Sequence, residues 1–147
     1  MMEGLDWVGA TAQEVRSAVQ WLKQGGGKVA VMGYCMGGAL SIIAGVDLDE
    51  VDAIVCYYGI PPAEQADPAR LRVPIQAHFA NTDDWCTPQT VDEFEAALQA
   101  ANRDYELFRY DAQHGFFNDS EAAVYDEAVA ELSWQRSLDF LNKQLLG

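Results

Sequence analysis

Histidine is scarce in this chain: among 147 residues only His78 and His114 carry an imidazole. A reaction that needs a side-chain base near neutral pH therefore has two candidates. Cysteine is almost as scarce. Cys35, Cys56 and Cys86 form no C-x-x-C pair, which excludes a disulfide framework and a zinc ribbon; reduced thiols in the cytoplasm fit best. Basic residues are few, nine Lys and Arg against 23 Asp and Glu, and the net charge of -14 argues against nucleic acid and anionic membrane surfaces. The start of the chain has neither a basic n-region nor an apolar h-region, so no signal peptide is visible. No internal repeat or low-complexity segment occurs, and the length predicts one domain with a real core.

What is present alternates between two periods. Residues 6–23 read as a helix with Val8, Val15, Val19 and Leu22 on one face, ended by Gly25-Gly26-Gly27. A strand at 28–32, a helix at 36–45 and a strand at 51–58 follow. A Pro- and Ala-rich loop leads to a strand at 73–80. Thr87 as N-cap and Pro88 at the first helical position open a helix to about 101, with Val91, Phe94 and Leu98 at helical spacing. A strand at 105–110 and a last helix bearing Ala128, Leu132, Leu138 and Leu141 complete the chain. Strands separated by helices at this spacing predict an α/β fold with a parallel, doubly covered sheet.

Residues 29–46 are 18 positions without a charge, and Gly33 to Gly37 is a G-x-x-x-G. A membrane helix is disfavoured by the glycines at 33, 37, 38 and 45 and by Lys28 and Asp47 close outside. A dinucleotide fingerprint would need glycine at Cys35, and a phosphatase C-x5-R loop would need arginine at Ser41. Gly33-Tyr34-Cys35-Met36-Gly37 instead reads as a G-x-C-x-G nucleophile elbow between strand and helix. A nucleophile on so sharp a turn has a strained backbone, so the residues two away must lack bulky side chains. The helix N-terminus favours thiolate at Cys35, and the Met36 N–H points where an oxyanion would form.

A thiol nucleophile needs a base. His114 follows the 105–110 strand, at the strand end where catalytic groups of open α/β sheets gather. His78 lies inside a strand and reads as packed and hydrogen-bonded. Asp83 or Asp84, beyond the 73–80 strand, supplies a carboxylate to orient the imidazole, in the order Cys, Asp, His of elbow hydrolases. Cys56 reads as a core residue and Cys86 as structural; thiol redox chemistry lacks a resolving cysteine near Cys35 in sequence.

These segments resemble the dienelactone hydrolase (carboxymethylenebutenolidase) family, α/β-hydrolases with cysteine in place of serine. Gly33-Tyr34-Cys35-Met36-Gly37-Gly38 is similar to its nucleophile motif, His78-Phe79-Ala80-Asn81-Thr82-Asp83 to its acid loop, and His114-Gly115-Phe116 to its base loop. The separations, 48 residues from Cys35 to Asp83 and 31 from Asp83 to His114, resemble the family's and select Asp83 over Asp84. The likeness runs from about residue 6 to 145 and covers the family's C-terminal part. It implies Cys35 as nucleophile, His114 as base, Asp83 as its orienter and the Met36 N–H as oxyanion donor, with no metal and no cofactor.

Two departures qualify the likeness. The family's N-terminal strands, which bring a second oxyanion donor and an acidic residue that tunes the thiol, have no counterpart. Residues 1–147 are therefore expected to form a single α/β-hydrolase domain that is incomplete at its N-terminus, with the strand at 28–32 left unpaired along one side and prone to self-association. Asn118 also stands where enzymes acting on dienelactone carry an arginine, which points to a neutral small ester or lactone as substrate. Tyr34 and Asn118 are the candidate substrate contacts. The expected protein is a hydrolase that works through a cysteine acyl-enzyme; the alternative is a truncated, non-catalytic or partner-dependent remnant that binds a small molecule.

Overall fold

The computed structural model describes residues 7–147. Its elements run α1 (Trp7–Lys23), β1 (Ala30–Tyr34), α2 (Met36–Asp47), β2 (Ala53–Tyr57), a 3-10 turn (Pro68–Arg70), β3 (Ile75–Thr82), α3 (Pro88–Ala100), β4 (Tyr105–Gln113) and α4 (Glu127–Leu146). Asp6, where the first predicted helix begins, the rest of residues 1–6 and the side chain of Val8 lie outside the described residues.

The four strands are parallel and lie in the order β1-β2-β3-β4, so among the described residues β1 forms one edge and β4 the other. All of β2 is buried, as expected of a strand covered on both faces. Ile54 and Cys56 face a core built with Val19 of α1, Ile42 and Ile43 of α2, and Phe94 and Leu98 of α3. Ala53, Val55 and Tyr57 face the opposite core, closed by Phe140 of α4. Each such Ile, Leu or Phe contributes about 1.5–3 kcal/mol through burial.

Local chemistry sets the helix ends. Thr87 caps α3 by accepting from the Thr90 N–H at 3.2 Å, with Pro88 in the first turn. Asp126 caps α4 by accepting from the Val129 N–H at 3.1 Å. After α1, Gly26 takes φ 82°, the left-handed conformation that suits glycine and ends a helix. Lys23, in the last turn of α1, reaches Asp52 at 2.7 Å, and the same carboxylate oxygen accepts from the Val29 N–H at 2.7 Å, tying the helix end to the sheet.

Three strands end later than the apolar pattern predicts, β3 among them, which reaches Thr82 rather than residue 80. β1 continues through Gly33 and Tyr34, because both still pair with β2, opposite Cys56 and Tyr57. The reversal is thus confined to Cys35. β4 runs on to Gln113 rather than to residue 110, across an irregularity in its pairing with β3 between Ala80 and Thr82. That extension delivers His114 directly from the strand end.

The glycine requirement at the elbow is also redistributed. A Cβ at Gly33 would lie 2.0 Å from the Gly37 carbonyl oxygen, and one at Gly38 would lie 2.6 Å from that of Tyr57. A Cβ at Gly37 would meet nothing within 4 Å. The crowding expected on both sides of Cys35 is therefore met at Gly33 and Gly38, while Gly37 has open space.

His78 is fully buried, as the strand pattern implies. Tyr110 donates its hydroxyl to Nδ1 at 2.8 Å, while Nε2–H faces Gln76 Oε1 at 2.8 Å and Ser137 Oγ at 3.2 Å. The ring stacks on Tyr57 at 4.4 Å between centroids. Burial, assisted by the Arg136 charge, pushes its pKa from 6.5 down to about 3.

Gly33→Ala should lower stability by about 3 kcal/mol, whereas Gly37→Ala should stay within about 1 kcal/mol of the parent; urea midpoints of the two variants would check the order. The histidine gives a pH dependence. With the folded pKa near 3 and the unfolded value at 6.5, the unfolded chain takes up the proton first as pH falls. His78's contribution is therefore complete above pH 6.5 and declines towards pH 3, by at most about 1.4 kcal/mol per pH unit. Imidazole NMR should show His78 neutral throughout the folded range above pH 4; a His78 resonance that titrates near 6.5 in the folded protein would contradict this.

Candidate active site

The strand-to-helix reversal falls on Cys35, whose φ of 56° and ψ of -121° lie in a region that non-glycine residues rarely occupy. Its neighbours hold it there. The Cys35 N–H donates to Tyr57 O at 2.9 Å, continuing the β1–β2 ladder, and its carbonyl accepts from the N–H groups of Gly38 at 2.9 Å and Ala39 at 3.2 Å. Beneath it, Gly59 packs so closely that a Cβ would lie 2.0 Å from Cys35 O. The turn leaves the Cys35 thiol exposed. Met36 opens α2, so its N–H belongs to the first turn, where amides have no partner within the helix.

The other two thiols are buried and also free. Cys56 donates to Gly59 O at 2.9 Å, and burial pushes its pKa up to about 12. Burial likewise pushes the Cys86 thiol far above its ordinary range.

Asp83 follows β3 and its side chain is fully buried. One oxygen, Oδ1, accepts from the N–H groups of Trp85 at 2.8 Å and Cys86 at 2.9 Å, which closes the loop around the carboxylate. The other, Oδ2, accepts from His114 Nδ1–H at 2.7 Å. Asp84 is exposed. His114 is steadied by its own N–H donating to Thr82 O at 3.1 Å, and Gly115 turns the chain away with φ 85°. With Nδ1 committed to Asp83, Nε2 faces Cys35 Sγ at 3.2 Å. The three residues singled out from the sequence are therefore one hydrogen-bonded chain, across separations of 79 and 31 residues.

Cys35 and His114 line a cavity of about 470 Å³ whose other walls include Tyr34, Tyr58, Phe117, Asn118, Glu121 and Val124. Tyr34 and Asn118 are thus both placed at it. The Asn118 side-chain oxygen is committed to the loop, accepting from the Ser120 N–H at 3.1 Å. Burial, with Tyr57 and Tyr58 close by, pushes the Tyr34 hydroxyl well above the ordinary phenol range. Sequence reasoning missed Tyr58. It holds φ at 36°, its ring stands edge-to-face with His114 at 4.9 Å between centroids, and burial raises its phenol to about 12 despite a hydrogen bond from the Phe117 backbone. Its position just past the C-terminal end of β2 was the available signal. Trp85 is a second omission; its ring centroid lies 5.7 Å from that of His114.

Among the described residues no group of three His, Cys, Asp or Glu is placed to hold a metal ion, and no helix is long and apolar enough to cross a membrane.

Known proteins share this chain's sequence pattern and fold. The chain is 31% identical over 120 residues to Protein usf of Aquifex pyrophilus, covering 80% of this chain and 52% of that protein. It is likewise 31% identical over 121 residues to a Saccharolobus solfataricus protein assigned as a carboxymethylenebutenolidase, covering 82% of this chain and 46% of that one. The chain thus spans about half the length of these curated relatives. A Klebsiella pneumoniae crystal structure assigned as a dienelactone hydrolase superposes with a TM-score of 0.78 at 26% identity, over 87% of this chain and 58% of that one. The parallel sheet is accordingly part of an α/β-hydrolase fold. The family model for dienelactone hydrolases matches residues 2–145, from before α1 to the end of α4, and the chain belongs to the dienelactone hydrolase family.

Proposed function

We propose that this chain hydrolyses a small, neutral carboxylic ester or lactone through a cysteine acyl-enzyme. The observation that carries the reading is the hydrogen-bonded chain Asp83 Oδ2–His114 Nδ1, 2.7 Å, and His114 Nε2–Cys35 Sγ, 3.2 Å, opening into a cavity. In the first half-reaction His114 Nε2 takes the thiol proton, Sγ bonds to the ester carbonyl carbon, and the carbonyl π pair moves onto oxygen opposite the Met36 N–H. Collapse breaks the carbon–oxygen bond, and His114 returns the proton to the leaving alkoxide. In the second half-reaction water gives a proton to His114 and its oxygen attacks the thioester. The carbon–sulfur bond then breaks, the acid leaves, and His114 returns the proton to Cys35 Sγ. Asp83 keeps the proton on Nδ1, so Nε2 is always the nitrogen that faces sulfur.

The walls support a neutral substrate. No Lys or Arg lines the cavity, Glu121 does, and Asn118 lines it where the family resemblance would place an arginine. The relatives named carboxymethylenebutenolidase support the ester and lactone class. Three free thiols support a reducing, cytoplasmic setting.

A second reading, a partner-dependent domain that does not turn over alone, is favoured by the position of β1 at the sheet edge beside the elbow. Unpaired backbone groups along such an edge recruit another strand, so self-association goes with this reading.

With p-nitrophenyl acetate, stoichiometric iodoacetamide should label Cys35 first and stop turnover in parallel. Labelling at Cys56 or Cys86 with hydrolysis intact would remove the nucleophile assignment. Asp83→Asn should cut kcat roughly 100- to 10,000-fold, while Asp84→Asn should be mild; the reverse order would transfer the orienting role. Light scattering on residues 1–147 should show a species larger than the monomer. A clean monomer with full turnover would dismiss the second reading.

A further inference from the structure

A second hollow is lined by Met36, the residue after Cys35, and by Trp85, whose ring meets that of His114. It holds about 390 Å³ between the start of α2 and the loop that follows β2, with walls that include Met36, Leu40, Ile43, Ile60, Pro61 and Trp85. None of its lining residues is charged, in a chain where 22% of residues are charged. The cavity at Cys35 and His114 carries the charged Glu121, whereas the polar side chains of the hollow are the neutral Gln65 and Thr90.

Both lips of the hollow are built onto the reacting groups. Met36 follows the nucleophile directly. Trp85 has its N–H fixed by Asp83 Oδ1 at 2.8 Å, and its ring lies against that of His114. Yet the two side chains are left in water, Met36 47% and Trp85 44% exposed. Exposed large apolar side chains scattered singly carry no message; two of them facing an uncharged hollow beside a nucleophile mark where apolar surface is to be covered.

We propose that this hollow receives an aliphatic arm of the substrate, so that the esters cleaved carry a hydrophobic chain. The proposal rests on the hydrolase reading above and narrows its substrate class. With the carbonyl carbon at Cys35 Sγ, one arm of the ester enters the cavity of Tyr34 and Asn118. The other passes between Met36 and Trp85 into the uncharged hollow. Each methylene taken from water there strengthens association by about fourfold until the space is filled.

The decisive experiment needs no turnover. Second-order rates of Cys35 labelling by N-alkylmaleimides, from ethyl to octyl, are measured on the whole chain and divided by the rates for glutathione. The corrected rates should climb with chain length, by up to about fourfold per methylene. The climb should flatten in Leu40→Gln, which makes the wall polar, and in Gln65→Trp, which fills the hollow from its exposed rim. Rates that do not change with chain length overturn the proposal, as does a climb that survives both variants, since the chain would then lie elsewhere. In parallel, p-nitrophenyl esters of rising acyl length and alkyl acetates of rising alcohol length show by kcat/KM which arm occupies the hollow. Missing turnover in both series with the labelling gradient intact would remove the hydrolase reading and leave the hollow standing; full turnover with flat labelling would do the opposite.

Discussion

The backbone reversal at Cys35 is the constraint on which the remaining structure depends. One residue must leave β1, hold φ at 56° and start α2, and each of its backbone groups is committed in doing so. Its N–H completes the ladder to β2, its carbonyl receives the first amides of the helix, and Gly59 must come within a van der Waals contact of that carbonyl. A left-handed φ costs of order 1–3 kcal/mol at a non-glycine residue, and two packed cores on either face of the sheet maintain it. Gly33, Gly38 and Gly59 follow from that one turn.

The two histidines show how the same side chain takes opposite roles through its surroundings. His78 sits mid-strand, stacked on Tyr57 and hydrogen-bonded at both nitrogens, so burial keeps it neutral and it serves as a packing piece. His114 sits one residue past a strand end, where the chain is free to turn, and only one of its nitrogens is committed to a buried partner. Placement at a strand terminus rather than any property of imidazole separates them.

That distinction was legible in the sequence, because apolar alternation locates strand interiors and ends well enough to sort His78 from His114. The elbow was legible for a similar reason: an apolar strand run, a G-x-C-x-G and an apolar helical run succeed one another without a gap. Strand ends were less legible. Gly33 and Asp111 look like terminators, yet Gly33 still pairs with Cys56 and pairing resumes past Asp111 at Gln113, and pairing is a property of two segments that one-dimensional pattern does not carry. Tyr58 and Trp85 escaped for the same reason. Each is ordinary in its own neighbourhood and gains meaning from the distant His114 ring that it touches. Spacing resembling a known family separated Asp83 from its neighbour Asp84; the amides of Trp85 and Cys86, both on Oδ1, give the physical basis for which of the two turns inward.

The strand order β1-β2-β3-β4 has a consequence for how the chain is made. Among the described residues β2, β3 and β4 each lie beside the strand synthesised just before it, so each βα unit can dock on its predecessor as it leaves the ribosome, and the long-range closures that slow many parallel sheets are avoided. The order of emergence is also the order Cys35, Asp83, His114. The turn at Cys35 is therefore made well before Asp83 and His114 emerge, and the imidazole comes immediately ahead of α4, whose Phe140 closes the second core. The hydrogen-bonded chain Asp83–His114–Cys35 is in this way closed only once β4 has joined the sheet.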